Sequence, residues 1–128
     1  MEAVVDNMKL KQTEAQLLTV CKQYLRYKKY FTMRLNSGKY SIGEGKYKRF
    51  VLGQEAGTPD LIAFKKPLLK FTKTQGSVEG NVVLYFFELK VGKNKPTVLQ
   101  EAKMNELREY GANVYVIHNL EELEKVCR

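Results

Sequence analysis

Two stretches concentrate the residue types that hydrolytic chemistry uses. "TPDLIAF" places Asp60 directly behind Pro59, and "VVLYFFELKVG" carries Glu88 and Lys90 two positions apart. Side chains two apart on a strand share a face, and the apolar run Val82 to Phe87 predicts a strand buried on both faces. Ionised side chains in such a strand are costly unless something partners them. Antiparallel pairing of the two stretches brings the start of one beside the end of the other, and so Asp60 beside Glu88 and Lys90. Two converging carboxylates suit a hard divalent cation such as Mg²⁺, which takes oxygen ligands and keeps waters for a substrate phosphate. A neighbouring lysine can orient or deprotonate an attacking water, or neutralise charge developing on phosphorus. Each residue also has an ordinary role beside the chemical one. Asp60 could cap a turn, and Glu88 with Lys90 could be an ion pair at a strand end.

The elements that must position these residues are legible from periodicity and caps. Thr13 and Gln16 form a capping-box pattern ahead of Leu17, Leu18, Cys21, Tyr24 and Leu25, which predicts a helix from about Glu14 to Lys29. "FTMRLN" alternates as a half-buried strand, and the glycine-rich "SGKYSIGEGKYKRF" reads as a loop or hairpin leading into "RFVLG". "DLIAF" is a short buried strand. Residues 65–81 form a long basic connection with room for a small hairpin, followed by the strand at Val82 and a turn from Gly92 to Pro96. Thr97 as N-cap, Gln100 at the capping-box position and Gly111 as the stop bound a second helix, 97–110. "NVYVIHN" is a further strand, and Asn119 caps a closing helix in "NLEELEKVC". The order α-β-β-β-α-β-α implies one α/β domain, 1–128, with a mixed sheet flanked by helices. The strands either side of helix 97–110 are expected to be parallel, joined by a crossover.

The chain has 128 residues and a formal net charge of +8, with a pI near 9.5. The segment from Lys22 to Phe50 carries nine basic residues against Glu44 alone. Lys65, Lys66, Lys70 and Lys73 follow. Clustered basicity of this kind is the electrostatic footprint of nucleic-acid binding, and equally of a solvated surface. Arg34, Asn36, Lys46, Lys48 and Arg49 are the candidate phosphate contacts. "KQYLRYKKYF" interleaves basic and aromatic residues, as base stacking or packing at a helix rim would require. Cys21 and Cys127 give neither a disulfide framework nor a metal motif, so a reducing, cytoplasmic compartment is expected. No apolar run spans a membrane. The lone His118, near a strand end, reads more readily as structural than as a general base. GxxxxGK[ST], GxSxG and HExxH motifs are absent.

"Pro59-Asp60 … Glu88-Leu89-Lys90" resembles the PD-(D/E)XK nuclease motif, and the αβββαβ order looks like the restriction-endonuclease-like core of that superfamily. "FTMRLNSG", "GTPDLIAF", "FFELK", "VLQ" and "YGANVYVI", in that order, resemble the virus-type replication-repair nuclease (VRR-NUC) domain over roughly 13–124. The resemblance implies a Mg²⁺- or Mn²⁺-dependent DNA endonuclease acting in a host cell, phage- and virus-encoded chains included. Asp60, Glu88 and the Leu89 carbonyl would bind metal, Lys90 would serve the attacking water, Gln100 would orient neighbouring groups, and Glu14 would hold the metal directly or through water. It further implies a homodimer acting on branched DNA, four-way junctions foremost. A monomeric flap or nicking nuclease, or a binding module without catalysis, are the other readings. By sequence alone Glu14 could instead complement a helix dipole, and Gln100 could be only a capping residue.

Overall fold

The computed structural model describes residues 12–35, 39–47, 49–52, 55–66, 70–71, 78–79 and 82–127. Among the described residues the order is α1 (Glu14–Tyr27) and β1 (Phe31–Arg34), followed by β2 (Lys39–Ile42), a 3₁₀ turn (Gly45–Tyr47) and β3 (Arg49–Leu52). Then come β4 (Leu61–Phe64), β5 (Lys70–Phe71), β6 (Val78–Glu79), β7 (Leu84–Leu89), α2 (Val98–Glu109), β8 (Asn113–Ile117) and α3 (Leu120–Val126). The main sheet has the order β1-β4-β7-β8; its first two pairings are antiparallel and β7–β8 is parallel, with α2 as the crossover. Among the described residues this is a mixed sheet with three helices, an α/β fold whose core reads αβββαβ. The two glycine-containing connections each hold an antiparallel pair, β2–β3 and β5–β6, that stays outside the main sheet.

Local chemistry explains where the helices start and stop. Thr13 Oγ1 accepts the Gln16 N–H at 3.1 Å, and Gln16 Oε1 accepts the Thr13 N–H at 2.9 Å, so the first turn of α1 has two of its open donors satisfied. Leu17, Cys21 and Leu25, four residues apart, form its fully buried stripe. The helix ends at Tyr27 because the chain enters the left-handed region at Lys29, φ +68°. The Lys29 N–H then reaches the Arg26 carbonyl and the Tyr30 N–H the Leu25 carbonyl, the pair of bonds of a Schellman stop. α2 ends the same way, with the Gly111 N–H on Arg108 and the Ala112 N–H on Leu107, and there the left-handed residue is glycine. A side chain in that conformation costs about 1–2 kcal/mol, which glycine avoids. Lys29→Gly is therefore expected to stabilise the protein by about 1 kcal/mol; a urea midpoint that falls instead would refute this account of the stop.

The core lies on the sheet face covered by α1 and α3, where Leu17, Cys21, Leu25, Leu61, Ala63, Phe87, Leu89, Ile117, Leu123 and Cys127 are buried together. The Tyr24 hydroxyl donates to the Cys127 carbonyl at 2.6 Å and ties the end of the chain back to α1. Burial pushes the Cys21 thiol up to about 11, which keeps it unreactive. α2 packs along β8, and Met104 and Val114 are buried outside the main cluster.

Two expectations need correction. In β1 the apolar alternation does not mark the buried face: Thr32 is buried, while Phe31 and Met33 are exposed. The run from Val82 does not form a strand buried on both faces: β7 starts at Leu84, and Val82, Val83 and Leu84 are exposed. Burial is complete only at Phe87, Glu88 and Leu89, with Phe87 and Leu89 entering the core cluster beside residues of α1 and α3.

Candidate active site

The end of β7 is held by its neighbours on both sides. In the β4–β7 ladder Ile62 faces Phe86 and Leu61 faces Phe87, which brings Asp60 and Glu88 to the next position outward. The ladder is prolonged there by a side chain, because Asp60 Oδ2 accepts the Leu89 N–H at 2.8 Å. The Asp60 carbonyl in turn accepts the Leu35 N–H at 2.8 Å from the end of β1, and the Lys90 N–H donates to the Ile117 carbonyl of β8 at 3.1 Å. Four strands thus fix the backbone around the three charged residues.

Glu88 has the strand parity of Phe86, so it points away from the face that buries Phe87 and Leu89. It is nevertheless only 2% exposed. Lys90 Nζ lies 3.7 Å from Glu88 Oε1, and Glu88 Oε2 is buried with no hydrogen-bond partner among the described residues. Burial, and then the Asp60 carboxylate beside it, push the Glu88 carboxyl up to about 8 against the pull of Lys90; the more distant Glu14 adds to the rise. A buried carboxylate with one orphaned oxygen next to a second carboxylate is a site short of positive charge. The donor set is all oxygen and hard, so the residues fit Mg²⁺ or Mn²⁺. Among the described residues no three His, Cys, Asp or Glu side chains form a metal cluster. Two carboxylates leave coordination positions for water and phosphate, as Mg²⁺ sites commonly do.

The other expected site residues are placed differently. Glu14 sits exposed in the first turn of α1, where its charge also complements the helix dipole. Gln100 is half-buried, and its side chain is engaged locally: Oε1 accepts the Thr97 N–H at 2.9 Å, while the Gln100 backbone N–H donates to Thr97 Oγ1 at 3.2 Å. Its structural role as a capping residue is therefore plain. Arg34 is exposed at the end of β1, one position before Leu35, whose N–H meets Asp60. Lys46 is exposed in the 3₁₀ turn. Arg49 belongs to β3 through its pairing with Ile42, whereas Asn36 and Lys48 lie outside the described residues. His118 serves structure: its ring nitrogens meet Glu122 Oε2 and the Asn94 carbonyl, each at 3.1 Å.

Gly57 is a contributor that residue types alone do not reveal. It has φ +86°, and a Cβ there would stand 2.9 Å from the Leu99 carbonyl at the start of α2. The turn carrying Asp60 rests against α2 through this contact, assisted by the Glu55–Lys103 ion pair at 3.2 Å. The glycine of "GTPD" is the sequence signal, but its partner on α2 is visible only in three dimensions. Gly57→Ala is expected to destabilise the protein by about 1–3 kcal/mol, combining left-handed strain with overpacking. Thermal denaturation checks this, and an unchanged Tm would show that the turn relaxes freely.

The architecture around this site can be compared with solved structures. One of them, titled "VRR_NUC domain", superposes with a TM-score of 0.56 over 88% of this chain and 91% of its own, at 21% sequence identity. The chain has the VRR-NUC fold. No family model matches the sequence, and no curated protein matches it. In this VRR-NUC fold the carboxylate pair lies at the open end of the central antiparallel pair, β4 and β7. Among the described residues no helix is long and apolar enough to cross a membrane.

Proposed function

We propose that this chain is a divalent-metal-dependent DNA endonuclease, with Asp60, Glu88 and the Leu89 carbonyl as metal ligands and Lys90 beside them. The observation that carries the reading is the juxtaposition of Asp60, anchored on the Leu89 N–H, with a buried Glu88 that leaves one oxygen unpartnered beside Lys90, on a VRR-NUC fold. A bound Mg²⁺ or Mn²⁺ ion supplies Lewis-acid activation of water and of the scissile phosphate. Every other part belongs to the chain. Asp60 keeps Oδ2 on the Leu89 N–H, which fixes the carboxylate and the strand end as one unit. Glu88 would hold the ion as a carboxylate, and Lys90, 3.7 Å from it, would supply positive charge for the attacking water or the phosphate. Glu14, whose charge acts on Glu88, would help hold the metal or a second one, directly or through water. Gln100 orients the start of α2 and thereby the turn that rests on Leu99.

The substrate reading is branched DNA, with four-way junctions foremost, cut by a homodimer whose twofold axis relates two sites. The net charge of +8 supports a polyanionic substrate. Arg34, with Lys46 and Arg49 on the β2–β3 segment, would contact phosphates, together with Asn36 and Lys48. Labelled four-way-junction, flap and linear duplex DNA, offered with Mg²⁺, test this directly. Paired symmetric cuts across the junction by a species that sediments as a dimer are expected. Cutting confined to flap or linear DNA by a monomer would overturn the junction reading. Lys90→Ala is expected to lower kcat by about 10²- to 10³-fold; unchanged turnover in the purified variant would remove Lys90 from the site.

A further inference from the structure

The outer side of α1 carries a groove that shares only Arg34 with the substrate contacts proposed above. It has a volume of about 820 Å³ and runs between α1 and Arg34 of β1, with Ala15 and Thr19 at one end, Lys22 midway and Arg26 and Tyr27 at the other. Ala15 follows Glu14, and Arg34 stands one residue before the Leu35–Asp60 hydrogen bond, so two of the groove's residues adjoin the site along the chain. From Ala15 to Tyr27 the helix rises about 18 Å, on the order of five stacked nucleotide steps at 3.4 Å each.

Charge and aromatic exposure in this groove are specific. Among the described residues no carboxylate pairs with Lys22, Arg26 or Arg34. Arg26 is held in place: Nε donates to Thr32 Oγ1 at 3.1 Å and Nη2 to the Thr32 carbonyl at 3.3 Å, with the guanidinium 5.6 Å from the centre of the Phe31 ring. Nη1 remains for a ligand, and the fixed fork loses little freedom on binding. The tyrosines of the basic segment separate into two kinds. Tyr24 bonds the Cys127 carbonyl and Tyr30 is buried in the core, whereas Tyr27 is 80% exposed at the groove's end. Packing therefore accounts for the first two and leaves the Tyr27 ring open to a stacking partner. A base inside a duplex is already stacked on both faces; an unpaired base offers the face that an exposed tyrosine can take.

We infer that this groove binds an unpaired, single-stranded stretch of nucleic acid, with phosphates on Lys22, Arg26 and Arg34 and a base stacked on Tyr27. The inference rests on the nucleic-acid substrate proposed above, but not on cleavage. It assigns to the fold a segment of substrate that a flap supplies and that neither a linear duplex nor a fully paired four-way junction does.

The test is binding, measured with chelator present so that catalysis plays no part. A short labelled single-stranded DNA and a duplex of the same sequence are titrated against the wild type, Tyr27→Ala, Tyr27→Phe and the double variant Lys22→Gln/Arg34→Gln. Arg26 is left intact because its bonds to Thr32 support the fold. Tyr27→Ala is expected to weaken single-strand binding about tenfold, to leave the salt dependence and the duplex affinity unchanged, and to be rescued by Tyr27→Phe. The double variant is expected to flatten the single-strand dependence of log K on log salt by about 1.4. Charge effects without any Tyr27 effect would make the groove a duplex track and overturn the inference. An unchanged affinity in both variants would overturn it as well. Wild-type binding with the Tyr27 effect, but no cleavage under any metal, would leave this inference standing and remove the nuclease reading.

Discussion

Glu88→Gln is expected to abolish cleavage, by on the order of 10³-fold or more, while making the metal-free protein more stable at alkaline pH. The two effects share one cause. In the unfolded chain this carboxyl ionises near its ordinary 4.5, whereas in the folded protein burial and Asp60 push it up to about 8. Between those values the folded state holds a proton that the unfolded state has released. Stability therefore falls as pH rises through that window, and is fully retained only below it. Glutamine carries no charge at any pH and removes the decline. A divalent cation relieves the same repulsion in the wild type, since it displaces the proton and neutralises the carboxylate pair. Millimolar Mg²⁺ should thus raise the wild-type Tm more at pH 8.5 than at pH 6, and should leave the variant's Tm unmoved. Denaturation curves at several pH values, with and without Mg²⁺, read all of this without an activity assay. A variant less stable than the wild type at pH 9 would show that Glu88 is an ordinary strand-end ion-pair partner of Lys90.

Asp60 separates chemistry from architecture through the choice of replacement. Asp60→Ala removes the acceptor of the Leu89 N–H at the end of β7. An unpartnered amide in that setting costs about 1–3 kcal/mol, so this variant should lose both activity and stability. Asp60→Asn keeps a carbonyl oxygen that can accept from Leu89 but carries no charge for a cation. It should stay close to wild type in its urea midpoint and still lose cleavage by about 10³-fold. Equal destabilisation by both replacements would mean that the charge, and not the hydrogen bond, holds the strand end. Retained cleavage by the asparagine variant would remove Asp60 from the ligand set.

The sequence carries the site's neighbourhood because the relevant geometry is one of register. Once "DLIAF" and "FFELK" are read as adjacent antiparallel strands, Asp60 and Glu88 must meet, and the observed pairing of Leu61 with Phe87 places them so. The helix starts were equally legible, since Thr13–Gln16, Thr97–Gln100 and Asn119 are local signals with local consequences. What escaped depends on contacts between distant elements. Nothing in "YLRYKKYF" marks Lys29 as the residue that turns left-handed, because only glycine and asparagine advertise that conformation. The exposure of Val82 and Val83 reflects where α2, α1 and α3 end over the sheet, which an apolar run cannot report. Likewise, the tyrosines at 24, 27 and 30 look alike in the sequence, and only their surroundings distinguish a buried ring from an exposed one.

The most direct test of the central claim is cleavage of a labelled four-way junction by wild type and Asp60→Asn, each with Mg²⁺, with Mn²⁺ and with chelator. The account predicts that wild type cuts with either metal, that chelator stops it, and that the variant binds the junction but leaves it intact. Cutting that persists in chelator, or that the folded variant performs as well as wild type, would contradict a metal centre built on Asp60 and Glu88.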